Sequence, residues 1–248
     1  MPEFKISGNV AFITGANRGI GRAITEALLQ RGASKVYAAA RRPEEIADLT
    51  ERFGDRIEAI ELNVTNGDQV QAATERAGDV ALLINNAGVA VGGGLTDDTV
   101  LQSARQEMEV NYFAPLQLLQ GFAPILAGNG GGAIVNISSI AGLSSFPFFP
   151  TYSASKAAVH SLTQAARALL ATQKTAVHGV YPGPVDTDMA KEIEMDKATP
   201  SEVANAILDG VEAGTTDIFP DAFAVTFGHQ FQASPKTSEE QLAAMIAA

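Results

Sequence analysis

The sequence contains no cysteine and no tryptophan, and its only histidines are His160, His178 and His229. The missing cysteine excludes disulfides, a thiolate nucleophile and any Cys-ligated zinc or iron-sulfur centre. Three scattered histidines make no cluster, so no metal is expected. Positive charge is scarce as well: Lys+Arg 17 against Asp+Glu 28 gives a net charge of -11, which repels phosphate backbones and anionic lipid over most of the surface. Neither nucleic acid nor a membrane is an expected partner. The opening MPEFKISGNVAFITGANRG holds only a short apolar run before a glycine-rich turn, so neither a signal peptide nor a membrane span is read there, and the cytoplasm is the default location.

What remains is a chain of 248 residues that is 46% hydrophobic and 18% charged, enough for a substantial core and suited to one domain spanning 1–248. Short β-branched or apolar runs at 10–14, 35–40, 57–62, 80–84, 133–137, 176–180 and 217–219 alternate with Ala-rich stretches of helical period at 23–30, 101–125, 154–171 and 201–211. That rhythm predicts an α/β fold: a Rossmann-like, doubly wound sheet of about seven mainly parallel strands with helices on both faces. A ligand is then expected at the carboxyl ends of the strands. From about residue 220 the rhythm is lost, and the tail 220–248 is read as a loose end or subunit contact carrying one short helix at 238–246, introduced by Pro235 and Thr237. The run 128–132, between a helix and a strand, reads as a flexible turn.

The first strand runs into Thr14-Gly15-Ala16-Asn17-Arg18-Gly19-Ile20-Gly21. Glycines there let a ligand approach the backbone, and a helix starting near Gly19 offers free N–H groups and a positive dipole end to a pyrophosphate. A dinucleotide fits this better than a ligand-free turn. At the end of the second strand, where an acid would bond the ribose 2'-hydroxyl of NAD, stands Ala40, followed by Arg41 and Arg42. Arg18 is available from the glycine turn, and guanidinium forks suit phosphate oxygens, so NADP(H) is the expected cofactor.

Further on, Ser138-Ser139 ends the fifth strand, and Tyr152 and Lys156 lie four apart at the start of a helix. That spacing puts both on one face, where an ammonium is expected to lower the pKa of a phenol that is otherwise a poor base.

With these residues, and with Asn85-Asn86-Ala87-Gly88, Asn111 and the stretch from Tyr181-Pro182-Gly183 to Thr187, the sequence resembles the short-chain dehydrogenase/reductase family over nearly its whole length. The resemblance implies that Tyr152 is the general acid/base, that Lys156 lowers its pKa and binds the nicotinamide ribose, and that Ser139 holds the substrate oxygen. It implies Asn111 in a proton relay, Asn86, Ala87, Gly88, Pro182, Gly183 and Val185 along the cofactor, and Thr187 at the nicotinamide amide. Where the family usually has Asp-Val at the adenine, this sequence has Asn63-Val64, whose amide oxygen and backbone N–H still serve.

The stretch between Thr187 and the helix near Ser201 is short, which predicts an open mouth. The residues 217–221 replace the family's glycine-rich segment, which bears on its usual tetramer packing; a homo-oligomer, dimer or tetramer, is expected, with the helices around Asn111 and Lys156 as pairing faces. Val89, Val91, Leu143, Phe146 and Phe149 are candidate walls for a bulky apolar substrate. The expected function is an NADP(H)-dependent carbonyl reductase or secondary alcohol dehydrogenase acting on a small-molecule ketone or alcohol. Two alternatives are a 3-oxoacyl reductase acting on carrier-bound substrates and a cofactor-binding regulator without turnover.

Overall fold

The computed structural model describes residues 4–247. Its elements run β1 Val10–Thr14, α1 Gly19–Gln30, β2 Lys35–Ala40, α2 Ala47–Phe53, β3 Ile57–Glu61, α3 Gly67–Arg76, β4 Leu82–Asn85 and α4 Val100–Met108. A π-helical turn, Glu109–Phe113, joins α4 to α5 Ala114–Gly128. There follow β5 Gly132–Ile137, α6 Pro150–Leu170, β6 Thr175–Val180, α7 Pro200–Glu212, β7 Asp217–Ile218, α8 Ala222–Ala233 and α9 Pro235–Ala247. The strands form one parallel sheet in the order β3-β2-β1-β4-β5-β6-β7. Chain direction across the sheet reverses at β1, between β2 and β4, and a crevice opens there at the carboxyl ends.

Alternation along the strands divides the core into two layers. Ile13, Leu82 and Val135 face Leu28 of α1 and Ile207 of α7, while Phe12, Leu83 and Ile134 face Phe122 and Leu118 of α5. A third cluster gathers Ile140 and Tyr181 with Ala224 and Phe227 of α8 and Leu242 of α9. The C-terminal region is therefore not the loose end with one short helix expected from its sequence. Phe223, Phe227 and Phe231 recur every fourth residue; Phe227 is buried and Phe231 packs against it in that cluster. In the turn at 128–132, Gly130 and Gly131 have φ of 92° and 109°; residues 128–130 are exposed, while a Cβ at Gly131 would overlap the Lys174 carbonyl.

Phe122 is wholly buried with its ring 4.8 Å from that of Phe12. Replacing it by Ala is expected to destabilise the fold by about 3–5 kcal/mol through lost contacts and the cavity left behind. Denaturant titration checks this, and a cost below about 1 kcal/mol would contradict the packing.

Candidate active site

The glycine turn after β1 is built against the end of β4. Thr14 Oγ1 accepts the N–H groups of Asn86 and Ala87, both at 3.0 Å, and Asn86 Nδ2 donates to the carbonyls of Thr14 at 2.8 Å and Gly15 at 3.2 Å. A Cβ at Gly21 would overlap both the Gly15 carbonyl and Asn86 Nδ2, and Gly15 and Gly19 have φ of 67° and 55°, a region that favours glycine. The N-cap of α1, Arg18, lends no side-chain cap. The first-turn N–H groups thus face the cleft without a capping side chain, which is the chemistry a pyrophosphate needs.

The cleft itself measures about 880 Å³. Gly15, Asn17, Arg18, Gly19, Ile20 and Gly21 line it, as do Ala40 and Arg41 from the end of β2 and Asn63 and Val64 beyond β3. Asn86, Ala87, Gly88, Pro182, Gly183, Val185 and Thr187 continue it to Ser139, Tyr152 and Lys156. The cleft therefore gathers the residues that the sequence assigned to the cofactor, except Arg42, which does not line it.

The arginines do not converge as expected. Arg18 Nη1 pairs with Asp188 Oδ2 at 2.8 Å, Arg42 pairs with Glu45, and Glu45 also accepts from Asn17 Nδ2 at 2.5 Å. Arg18 and Arg42 have each found a nearer carboxylate, a contact a solvent-exposed side chain makes at little cost. Arg41 is exposed and enters no ion pair among the described residues. Asn63 Oδ1 is turned to its own loop, accepting from Thr65 N at 3.3 Å and Thr65 Oγ1 at 3.0 Å.

At the other end, Ser139 follows β5, with its hydroxyl accepting from Ala141 N at 3.2 Å and donating to Pro182 O at 3.4 Å. Both serines line the cleft, but Ser138 is buried with its hydroxyl committed to Lys156 O at 2.9 Å, whereas Ser139 is partly exposed. Tyr152 and Lys156 share a face of α6, with Nζ 5.7 Å from the phenol ring centroid. Lys156 Nζ donates to Ile137 O at 2.9 Å. Burial pushes the Tyr152 phenol up to about 12, with the Ser139 hydroxyl pulling it down and the charge of Glu107 adding to the rise. Burial likewise brings Lys156 down to about 8. The direction is opposite to the lowering expected from the ammonium: within this chain the main cause of the phenol's shift is loss of water.

Asn111 lies in the π turn and is buried. Its amide accepts from Val89 N at 2.9 Å and donates to Val89 O and Ser155 Oγ, both at 2.8 Å. Ser155 Oγ donates in turn to Tyr152 O at 2.7 Å. Phe146, Phe149 and Val89 line the cleft near Tyr152. Val91 and Leu143 do not: Val91 points to solvent, 46% exposed, and Leu143 packs into the C-terminal cluster behind Phe146. A residue the sequence reading missed is Glu107, wholly buried, which accepts Val91 N–H at 2.8 Å and whose second oxygen has no partner among the described residues. Its one signal was its place four residues before Asn111, on the inner face of α4. Among the described residues no group of three or more His, Cys, Asp or Glu is placed to hold a metal, and no helix is long and apolar enough to cross a membrane.

A parallel sheet reversing at β1, a glycine turn locked to β4 and a Ser-Tyr-Lys set at the same cleft define a class, and the comparison with known proteins agrees. The chain belongs to the short chain dehydrogenase family, whose model matches residues 9–198. It is similar to a short chain dehydrogenase from Burkholderia cenocepacia J2315 solved in complex with NADP, at 39% identity and a TM-score of 0.90 over 96% of this chain and 98% of that one. It is also 31% identical over 224 residues to a Vibrio cholerae protein named 3-oxoacyl-[acyl-carrier-protein] reductase FabG, covering 82% of this chain and 89% of the relative. A third similar protein is an alcohol dehydrogenase from Comamonas testosteroni described as bulky-bulky ketone specific, at 26% identity and a TM-score of 0.79, with 94% of each chain covered.

Lys156 generates a stability prediction. Its ordinary value of 10.5 applies to the unfolded chain and about 8 to the fold, so between those values the unfolded state binds more protons and stability rises with pH. At pH 7 the buried ammonium costs the fold up to about 3 kcal/mol. Lys156→Met, without added cofactor, is expected to melt a few degrees higher than the wild type at pH 7, with the gap closing as pH approaches 10.5. A lower melting temperature with a gap that does not change with pH would contradict the burial argument.

Proposed function

We propose that the protein is an NADP(H)-dependent carbonyl reductase or secondary alcohol dehydrogenase acting on apolar or aryl ketones and the matching alcohols. The observation that carries this reading is the placement of Ser139, Tyr152 and Lys156 together at the end of one cleft, beside the apolar side chains of Val89, Phe146 and Phe149. Bound NADP(H) supplies the hydride in reduction and takes it in oxidation. Tyr152, held neutral by burial, donates its proton to the carbonyl oxygen in reduction, and Ser139 orients that oxygen by a hydrogen bond. Lys156 would hold the ribose end of the cofactor and return a proton to the phenolate left on Tyr152, itself regaining one from solvent. Asn111 links this face of α6 to the loop at Val89 and continues the proton path.

Preference for the 2'-phosphate is supported by Ala40 in place of an acid, by the unpaired Arg41 and by the NADP in the Burkholderia relative. The loops 89–99 and 140–151 contain no Lys or Arg, so a substrate carboxylate would be desolvated there without a partner. The ketone specificity of the Comamonas enzyme points the same way. The 3-oxoacyl alternative has the Vibrio relative in its favour, but residues 118–137 carry no Lys or Arg to receive an acidic carrier. A regulator without turnover would have no use for the intact Ser139, Tyr152 and Lys156. A homo-oligomer, dimer or tetramer, goes with this reading, since Leu101 of α4, Phe113 of the π turn and Leu116 of α5 are exposed.

Tyr152→Phe is expected to lower kcat by about 10²-fold or more while NADPH still binds, because only the transferable proton is lost; near-normal turnover would sink the assignment. In a panel of an aryl ketone, a small 2-keto acid and a 3-oxoacyl thioester, the aryl ketone should give the highest kcat/KM. A win for the keto acid would overturn the pocket reading, and a strong preference for a carrier-bound thioester would favour the alternative.

The wild type should also prefer NADPH over NADH, and Arg41→Ala should erode that preference about tenfold to a hundredfold, the range of a charge-assisted hydrogen bond. Equal loss with both cofactors would show that Arg41 does not read the phosphate.

A further inference from the structure

The C-terminal helices are tied to the cleft through one side chain, Asp221, which stands between β7 and α8. Its Oδ1 accepts the N–H of Ala224 at 2.8 Å and so caps α8. Its Oδ2 accepts the N–H of Gly183, 38 positions earlier in the chain, also at 2.8 Å. The approach is close: a Cβ at Gly183 would stand 2.8 Å from Asp221 Oδ1 and 3.1 Å from Phe223 Cδ1. The preceding residue, Pro182, is held from the opposite side, where its carbonyl accepts the Ile140 N–H at 3.2 Å and the Ser139 hydroxyl at 3.4 Å. A two-residue turn that lines the cleft is thus gripped by the Ser139 segment at one end and by Asp221 at the other.

Asp221 can hold that turn only if α8 is itself immobile. Ala224 and Phe227 are buried against Ile140 and Tyr181, Leu242 of α9 closes the same cluster, and the Phe227 ring lies 5.8 Å from Phe146 at the cleft. We propose that Asp221 is a positioning residue for hydride transfer, setting the Pro182-Gly183 turn at the Ser139 end of the cleft and making α8 and α9 a working part of the site. The inference rests on the nicotinamide dinucleotide reading of that cleft. A carboxylate suits the task because each of its oxygens can accept one of the two N–H groups.

Asp221→Ser and Asp221→Asn separate positioning from simple capping. Both residues cap helices well, but neither can accept from Ala224 and Gly183 through two oxygens. Asp221→Ser is expected to melt within a few degrees of the wild type. Amide hydrogen exchange at Gly183 should speed up about tenfold or more. NADPH binding, followed by nicotinamide fluorescence, should weaken, and kcat should fall about tenfold with the ketone KM little changed, as loss of alignment requires. Asp221→Asn should show the same pattern. If NADPH affinity and kcat stay at wild-type values in both variants, Asp221 is only a helix cap and the proposal fails while the function stands. If the wild type binds no NADPH at all, the cofactor reading fails first and takes this proposal with it.

Discussion

Tyr152 and Lys156 face the cleft together only because α6 cannot turn or slide against the sheet. A chain of buried amides and hydroxyls holds it. Asn85 Nδ2 at the end of β4 donates to Asn136 Oδ1 on β5 at 2.8 Å, Asn136 Nδ2 donates to Thr163 Oγ1 on α6 at 2.9 Å, and Thr163 Oγ1 donates to the Val159 carbonyl at 2.7 Å. All three side chains are buried, so sliding α6 by one residue would strand donors away from water at about 1–3 kcal/mol each. From the opposite side, Asn111 holds Ser155 and Ser155 holds the Tyr152 carbonyl. The π turn at Glu109–Phe113 matters here, because it carries Asn111 away from the regular helical surface and lets one amide reach both Val89 and α6. Rigid apolar packing supplies the cohesion of the fold; this polar chain supplies its register at the site.

The same burial that fixes the pair also sets its protonation. Loss of water pushes the phenol up to about 12 and the ammonium down to about 8. Burial disfavours the charged form of each group: the phenol stays protonated at neutral pH, and the lysine, at about 8, still carries its proton at pH 7 but gives it up more readily than an exposed lysine does. Glu107, wholly buried on α4, adds negative charge on the side that keeps the phenol protonated. A site arranged in this way is costly to the apoprotein, since an ammonium is carried into the interior with a single backbone carbonyl for company. Stability is reduced where the chemistry is placed.

Most of the sheet was legible because strand patterns and glycine turns are local. β1 and β2 fall at the residues read for them, and β3, β5, β6 and β7 differ by a residue at one end. β4 begins two residues later than read, since Val80 and Ala81 lead into the sheet without belonging to the strand. The cleft residues were legible for the same reason: they sit in turns at strand ends, where sequence and position coincide. What was not legible depends on distant partners. The pairing of Arg18 with Asp188 spans 170 positions, and nothing near Arg18 announces it. Leu143 looked like a pocket wall by its place in a loop beside Ser139, but it packs against the buried cluster to which the C-terminal helices contribute Ala224, Phe227 and Leu242. In the tail itself, Phe219 and Pro220 mask the helical period that begins only after Asp221.

Charge makes a different demand on the opposite end of the cleft. A chain with a net charge of -11 repels polyanions over most of its surface, so any site for one has to concentrate positive charge locally. Arg18, Arg22, Arg41 and Arg42 cluster at the glycine turn and the end of β2, yet three of them are matched by Asp188, Asp48 and Glu45. Those pairs hold the side chains near the cleft while keeping the local charge close to balanced, and exposed pairs of this kind are weak enough for a phosphate to displace the carboxylate. Glu45 also holds Asn17, so releasing one contact frees a second polar group facing the cleft. On the proposed cofactor reading, Asp188 would have to give way before Arg18 could meet a phosphate oxygen, whereas Arg41, exposed and without an ion pair among the described residues, is available as it stands.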